Sequence, residues 1–124
     1  MQTLDQQYAN SVLTQVLAVK QEQESEYKKY GAMAHKLPIL IHTAGLLQAL
    51  EFVNTREDIH RCLLRDLAHT LGHPDREAFL QAVRGANLKT YLLLSRHTLA
   101  ALLWYKRFAQ SVLEVEASEK ETGR

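Results

Sequence analysis

The sequence predicts an all-α fold, a compact single-domain bundle of about five or six helices with a long C-terminal one. Three observations carry this. Apolar residues recur at three- and four-residue intervals through most of the chain, as in Leu4, Tyr8, Val12, Val16 and Val19. No stretch shows the every-second-residue alternation of a half-buried strand. Glycine, proline and polar capping residues punctuate the apolar runs where helices should start and stop. With 124 residues, 46% of them hydrophobic and 23% charged, the chain suits one domain (1–124) that folds without disulfide or metal staples.

Each helix follows from local signals. Thr3 followed by Gln6 has the form of a capping box, so the first helix carries one apolar face from Leu4 to about residue 22. The charged segment KQEQESEYKK is solvent-facing, and a bend near Ser25 leads into a short helix through Tyr30 and Met33. The stretch KLPILIHTAGLLQAL, residues 36–50, is the most apolar passage. A membrane span needs about 20 apolar residues, and this run is interrupted by Pro38, His42, Thr43 and Gln48 and bounded by Lys36 and Glu51. It reads instead as a central helix buried on most sides, with Pro38 in its first turn. Gly45 in its middle costs about 1 kcal/mol against alanine, which points to a backbone packed closely at Ala44, Gly45 and Ala49. Asn54 and Thr55 end that helix. Thr55 with Asp58 caps the next one, which a Glu57–Arg61 pair supports and Gly72 stops. Pro74 opens a brief helix over 75–84 that Gly85 ends, and Asn87 caps the longest helix, running to about Ser118. The polar tail 119–124 is expected to fray.

Signals for catalysis are missing. The N-terminal MQTLDQQYANSVL lacks the basic and apolar regions of a secretion signal, which predicts a cytoplasmic protein with no membrane partner. Cys62 alone can build neither a disulfide framework nor a thiolate metal site, and it reads as a small buried hydrophobe. His69 and His73 have the i,i+4 spacing of metal ligands. The zincin pattern, however, needs a glutamate where Thr70 stands, and Gly72 and Pro74 break the helix that would align the pair. The other histidines, His35, His42, His60 and His97, have no ligand spacing. Glu51 and Asp66 fall in helix-surface patterns, and the remaining acids lie in caps, the 22–26 run or the tail. With no phosphate loop, serine elbow or activated cysteine, no catalytic residue, metal or cofactor is expected.

Charge distribution is more informative. The net charge is only +1. Residues 1–55 carry four basic and five acidic side chains, 56–107 nine and five, and 108–124 two and four. On the last helix Lys89 and Arg107 stand five full turns apart, with Arg96 about 20° off the same line, so the three form one stripe about 27 Å long. Tyr91, Leu94, Ala101, Leu102, Tyr105 and Val112 lie opposite as a core face, with Trp104 near its edge. Leu93 and Leu103 flank the stripe about 40° to either side, and Ala100 lies almost on it. A face mixing leucines and arginines suits a protein partner, a phosphate backbone or both. The alternative is a solvated stripe whose leucines are buried under neighbouring helices.

Two longer segments resemble a known family. YGAMAHKLPILIHTAGLLQALEFV (30–53) and YLLLSRHTLAALLWYKRFAQSVLE (91–114) are similar to the two signatures of the small subunit of the type III-B, or Cmr, CRISPR effector complex. Tyr30, Lys36, Leu37, Pro38, Ile41, Gly45, Leu46, Trp104, Lys106, Arg107 and Phe108 occupy the signature positions; Ala44 stands where the family often has asparagine. The resemblance implies an all-helical, non-enzymatic brick that stacks with further copies of itself along a guide RNA–target RNA duplex. Its neighbours would be the backbone and large subunits, and its role support of target RNA binding and antiviral defence. Lys89, Arg96, Lys106 and Arg107 would then touch RNA phosphates, and Leu93 and Leu103 a neighbouring subunit. Arg61 and Arg65 form a lesser patch that Glu57 and Asp66 partly neutralise, and Lys28, Lys29 and Lys36 are peripheral.

Other readings rank below this one. A helix-turn-helix regulator of DNA would place 75–84 before a recognition helix starting near Leu88, but Gln81 stands where the tight turn expects alanine. Without the resemblance, the residues alone describe a helical interaction module.

Overall fold

The computed structural model describes residues 1–117, so the expected fraying of 119–124 lies outside the described residues. Six helices follow one another: α1 (Leu4–Glu22), α2 (Tyr27–Ala44), α3 (Leu46–Asn54), α4 (Asp58–Thr70), α5 (Arg76–Arg84) and α6 (Leu88–Ser111). The Thr3–Gln6 capping box closes on α1 as the sequence indicates, and Asp75 and Asn87 cap α5 and α6 through their side chains. Helix α4 touches every other helix, while α6 lies along both α1 and α2. One continuous core results, drawn from all six helices and from Leu113 and Val115 beyond them.

Four sequence expectations are corrected by this arrangement. The apolar stretch at 36–50 is not a single central helix. Helix α2 starts at Tyr27, runs through Pro38 and ends at Ala44, and Gly45 turns the chain into α3. Pro38 therefore sits in the helix interior, where it forgoes the bond to the Ala34 carbonyl. Gly45 is required by its positive φ of 91°, a conformation that penalises any Cβ, rather than by close packing within a helix. A side chain there would meet only the Tyr91 hydroxyl at 3.4 Å, and Ala44 is exposed. At the next boundary, Thr55 is the C-cap of α3, and Glu57 caps α4 in a reciprocal box with His60. Glu57 then pairs with Lys29 at 3.0 Å, leaving Arg61 to pair with Asp58.

The third correction concerns Asp66, which is buried rather than on a helix surface. Its carboxylate accepts a 2.6 Å hydrogen bond from the Tyr30 hydroxyl and a longer one, 3.3 Å, from Arg65. Burial pushes the Asp66 carboxyl up from its ordinary range, while the Tyr30 bond and the Arg65 charge pull it back. Burial also holds the Tyr30 and Tyr105 phenols well above their usual values, so both remain hydrogen-bond donors. Tyr105 donates to Gln15, whose amide donates to the Asp66 carbonyl at 2.9 Å, and Thr70 meets Ser11 at 2.8 Å and Tyr105 at 3.2 Å. This polar chain joins α1, α2, α4 and α6, running from the buried Asp66, Tyr30 and Tyr105 to the half-buried Gln15, Ser11 and Thr70.

The fourth correction is the end of the long helix. Helix α6 stops at Ser111, seven residues before the expected Ser118, because Leu113 and Val115 turn back into the core. Glu114 adopts a positive φ of 61° at this turn, a conformation that costs a residue with a Cβ roughly 1–2 kcal/mol. Several bonds hold the returning strap. The Val115 N–H donates to the Ala109 carbonyl at 2.8 Å, the His35 Nε2–H donates to the Val115 carbonyl at 2.8 Å, and Lys20 Nζ donates to the Val112 carbonyl at 2.9 Å. Val115 sits directly over Gly31 of α2, where an added Cβ would lie 2.9 Å from Val115 Cγ2 and 3.3 Å from Leu113 Cδ1.

Gly31→Ala is therefore expected to destabilise the fold by about 1–2 kcal/mol, overpacking outweighing the helix propensity gained. In a Val115→Ala background the same substitution should cost clearly less, because the closest contact, Val115 Cγ2 at 2.9 Å, is gone and only Val115 Cβ at 3.1 Å and Leu113 Cδ1 at 3.3 Å remain. Denaturant unfolding of the four proteins checks this; additive effects would show that Gly31 and Val115 do not share the constraint.

Candidate nucleic-acid interface

Helix α6 is built to show one face. Its buried residues, Thr98, Ala101, Leu102, Tyr105 and Ala109, centre about 180° around the helix from Lys89, Arg96 and Arg107 at 100° per residue. These three cations are exposed, while Lys106 is half-buried and lies about 100° around the helix from their line. Leu93 and Leu103, flanking the stripe, keep 48% and 45% of their surface exposed. The leucines are thus not covered by neighbouring helices. Leu88 and Leu92, exposed at 73% and 57%, extend the apolar margin toward the N-terminus of α6. That pair was not singled out from the sequence, although its i,i+4 spacing onto Arg96 was a readable signal.

The cations differ in what already occupies them. Among the described residues, Lys89, Arg96 and Lys106 make no ion pair or hydrogen bond. Arg107 lies over the Trp104 ring, its guanidinium carbon 5.3 Å from the ring centroid. No aspartate or glutamate occurs anywhere from residue 78 to 113, so nothing on this helix neutralises the stripe. The lesser patch behaves otherwise. Arg61 is tied to Asp58 and to the Arg56 carbonyl, and Arg65 pairs with Asp66 at 3.3 Å. Arg84 is held between Glu51 at 2.9 Å and Glu77 at 3.3 Å, and those bonds raise its pKa. Lys29 is bound to Glu57, whose carboxyl the ammonium pulls below its usual range. Lys36 is exposed and sits 5.8 Å from the Phe52 ring centroid.

The histidine pair resolves into structural roles. His69 Nε2–H donates to the Pro74 carbonyl at 2.9 Å, while the His73 ring stacks on Phe79 with centroids 4.9 Å apart. Burial lowers the His73 pKa. Among the described residues no group of three or more His, Cys, Asp or Glu is arranged to hold a metal ion. Among the same residues, no helix is long and apolar enough to cross a membrane.

Comparison with known proteins follows the two signatures. Residues 4–112 match the family described as CRISPR-associated protein (Cas_Cmr5). The chain belongs to the Cmr5 family of CRISPR-associated proteins. It is 44% identical over 116 residues to the CRISPR system Cmr subunit Cmr5 of Thermus thermophilus, spanning 92% of this chain and 99% of that protein. A solved structure agrees. The crystal structure of a CRISPR-associated Cmr5 family protein from Thermus thermophilus superimposes with a TM-score of 0.87 at 40% identity, covering 91% of this chain and 99% of that one. Membership of the Cmr5 family disfavours the helix-turn-helix reading, as does the start of α6, where Leu88, Leu92 and Leu93 stand exposed among the polar side chains.

Because Lys89 and Arg96 are exposed and make no ion pair or hydrogen bond among the described residues, Lys89→Glu and Arg96→Glu should leave unfolding free energy within about ±0.5 kcal/mol of the parent. Arg84→Glu, which breaks two ion pairs and repels Glu51 and Glu77, should be the less stable variant in the same denaturation series. Equal losses for all three would mean that the stripe has structural partners after all.

Proposed function

We propose that this chain is the small helical subunit of a type III-B CRISPR (Cmr) ribonucleoprotein, acting in the cytoplasm in antiviral defence. In this reading it carries no catalytic residue and binds no cofactor. It stacks with further copies of itself beside the backbone and large subunits, along the guide RNA–target RNA duplex. The outer face of α6 supplies the contacts, with Lys89, Arg96, Lys106 and Arg107 on RNA phosphates and Leu93 and Leu103 on a neighbouring subunit.

One observation supports this assignment above the rest: unpaired cations in line on an acid-free helix, opposite its buried face and edged by exposed leucines. Phosphate contacts need cations whose charge is not already satisfied, which favours α6 over the paired Arg61 and Arg65. A chain of net charge +1 with three such cations on one face should bind RNA only weakly alone. Several copies aligned along one strand multiply those weak contacts through effective concentration. The mixed leucine and cation surface also fits a helix that meets RNA and protein at once. The relative from Thermus thermophilus is described as a Cmr subunit, which supports the assembly part of the reading.

The test is target-RNA binding by the purified ribonucleoprotein carrying Lys89→Glu, Arg96→Glu and Arg107→Glu together. Losing three phosphate contacts should weaken affinity and flatten the dependence of log K on log salt by about 2 to 3 for each engaged copy. A particle of normal composition with unchanged affinity and slope would remove α6 from the RNA.

A further inference from the structure

Arg107 differs from the other three cations in being held. Its guanidinium rests over the Trp104 indole, and the indole is fixed from two sides. The Trp104 ring stacks on Phe108, with centroids 5.7 Å apart and planes 27° from parallel, and its Nε1–H donates to Asp5 Oδ1 at 2.9 Å. Asp5 belongs to the first turn of α1, just inside the Thr3–Gln6 capping box. The contact thus joins residues 99 apart in sequence. A stacked arginine gives up less rotamer freedom when it engages a phosphate than a free lysine does.

We propose that Asp5 is a positioning residue for Arg107: by accepting the indole N–H it holds Trp104 as the platform that presents the guanidinium to an RNA phosphate. The inference rests on the reading of α6 as an RNA-facing helix. It is counterintuitive on charge alone, since a carboxylate beside a phosphate site is repulsive. That opposition makes the idea testable by sign.

Both Asp5→Ala and Asp5→Asn remove the negative charge, but only asparagine keeps an oxygen that can accept from the indole. Electrostatics alone makes both variants bind RNA more tightly. Positioning makes them diverge. In the assembled ribonucleoprotein, with a labelled single-stranded RNA complementary to the guide, Asp5→Ala should weaken binding about two- to fivefold for each engaged copy, the worth of a cation–π contact. Asp5→Asn should bind at least as tightly as the parent. Trp104 is the only tryptophan of the chain, so its fluorescence in the isolated full-length protein reports the platform directly. Its emission should change in Asp5→Ala and stay near the parent in Asp5→Asn, with circular dichroism confirming that both remain helical. Equal tightening of both variants would overturn the inference and leave Asp5 as a mere charge. Arg96→Glu separates the two levels. If it weakens binding while Asp5→Ala does not, positioning alone is wrong; if it too has no effect, the RNA-facing reading of α6 fails and the inference with it.

Discussion

A buried carboxylate under a buried tyrosine sets the geometry on which everything outside depends. Asp66 of α4 has left water, and its compensation is the 2.6 Å bond from Tyr30 of α2 together with the Arg65 contact. Leaving such a group without its donor costs about 1–3 kcal/mol, so α2 and α4 are held in one register. The same polar chain reaches α1 through Gln15 and α6 through Tyr105, whose ring also lies 6.5 Å from that of Tyr30. Helix α6 therefore has one permitted rotation. Turning it by a single residue, about 100°, would withdraw Tyr105 from Gln15 and Thr70 and carry the cation stripe toward the core. The exposure of Lys89, Arg96 and Arg107 is thus a consequence of hydrogen bonds made on the opposite side of the helix.

The same packing separates the cations already paired within the fold from those that are not. Arg61, Arg65, Arg84 and Lys29 are each paired with an aspartate or glutamate nearby, and the exposed pairs among them, those of Arg61, Arg84 and Lys29, add little stability. What they do is remove charge from the surface. Helix α6 itself carries no acid, and among the described residues Lys89, Arg96 and Lys106 make no ion pair, while Asp5 of α1 lies beside the ring that carries Arg107. Under the proposed function, a chain of this kind would bind polyanion weakly by itself and strongly only when copies are aligned.

Much of this was legible before any coordinates. Apolar periodicity, the Thr3–Gln6 box and the Asn87 cap are local signals, and they placed α1, α5 and the start of α6 within a residue or two. The cation stripe follows from helix geometry alone, which is why Lys89, Arg96 and Arg107 appear where 100° per residue puts them. What escaped the sequence depends on contacts between distant segments. Gly45 could be read as close packing or as a positive φ, and only the path of α3 decides. Asp66 has the spacing of a surface residue until Tyr30, 36 positions earlier, covers it. The strap after Ser111 looks like more helix unless Gly31 is known to leave room for Val115. Asp5 gives no sign of its link to Trp104, because nothing local connects residues 99 apart.

Site-specific crosslinking in the purified ribonucleoprotein tests the role of α6 most directly. Target RNA carrying photoreactive uridines would be irradiated in the complex and the crosslinked peptides of this subunit identified by mass spectrometry. If the outer face of α6 lies on RNA, crosslinks should fall on the peptides spanning Lys89 to Arg107 and vanish when the RNA is not complementary to the guide. Crosslinks confined to α4 around Arg61 and Arg65, or none to this subunit in an intact particle, would contradict it.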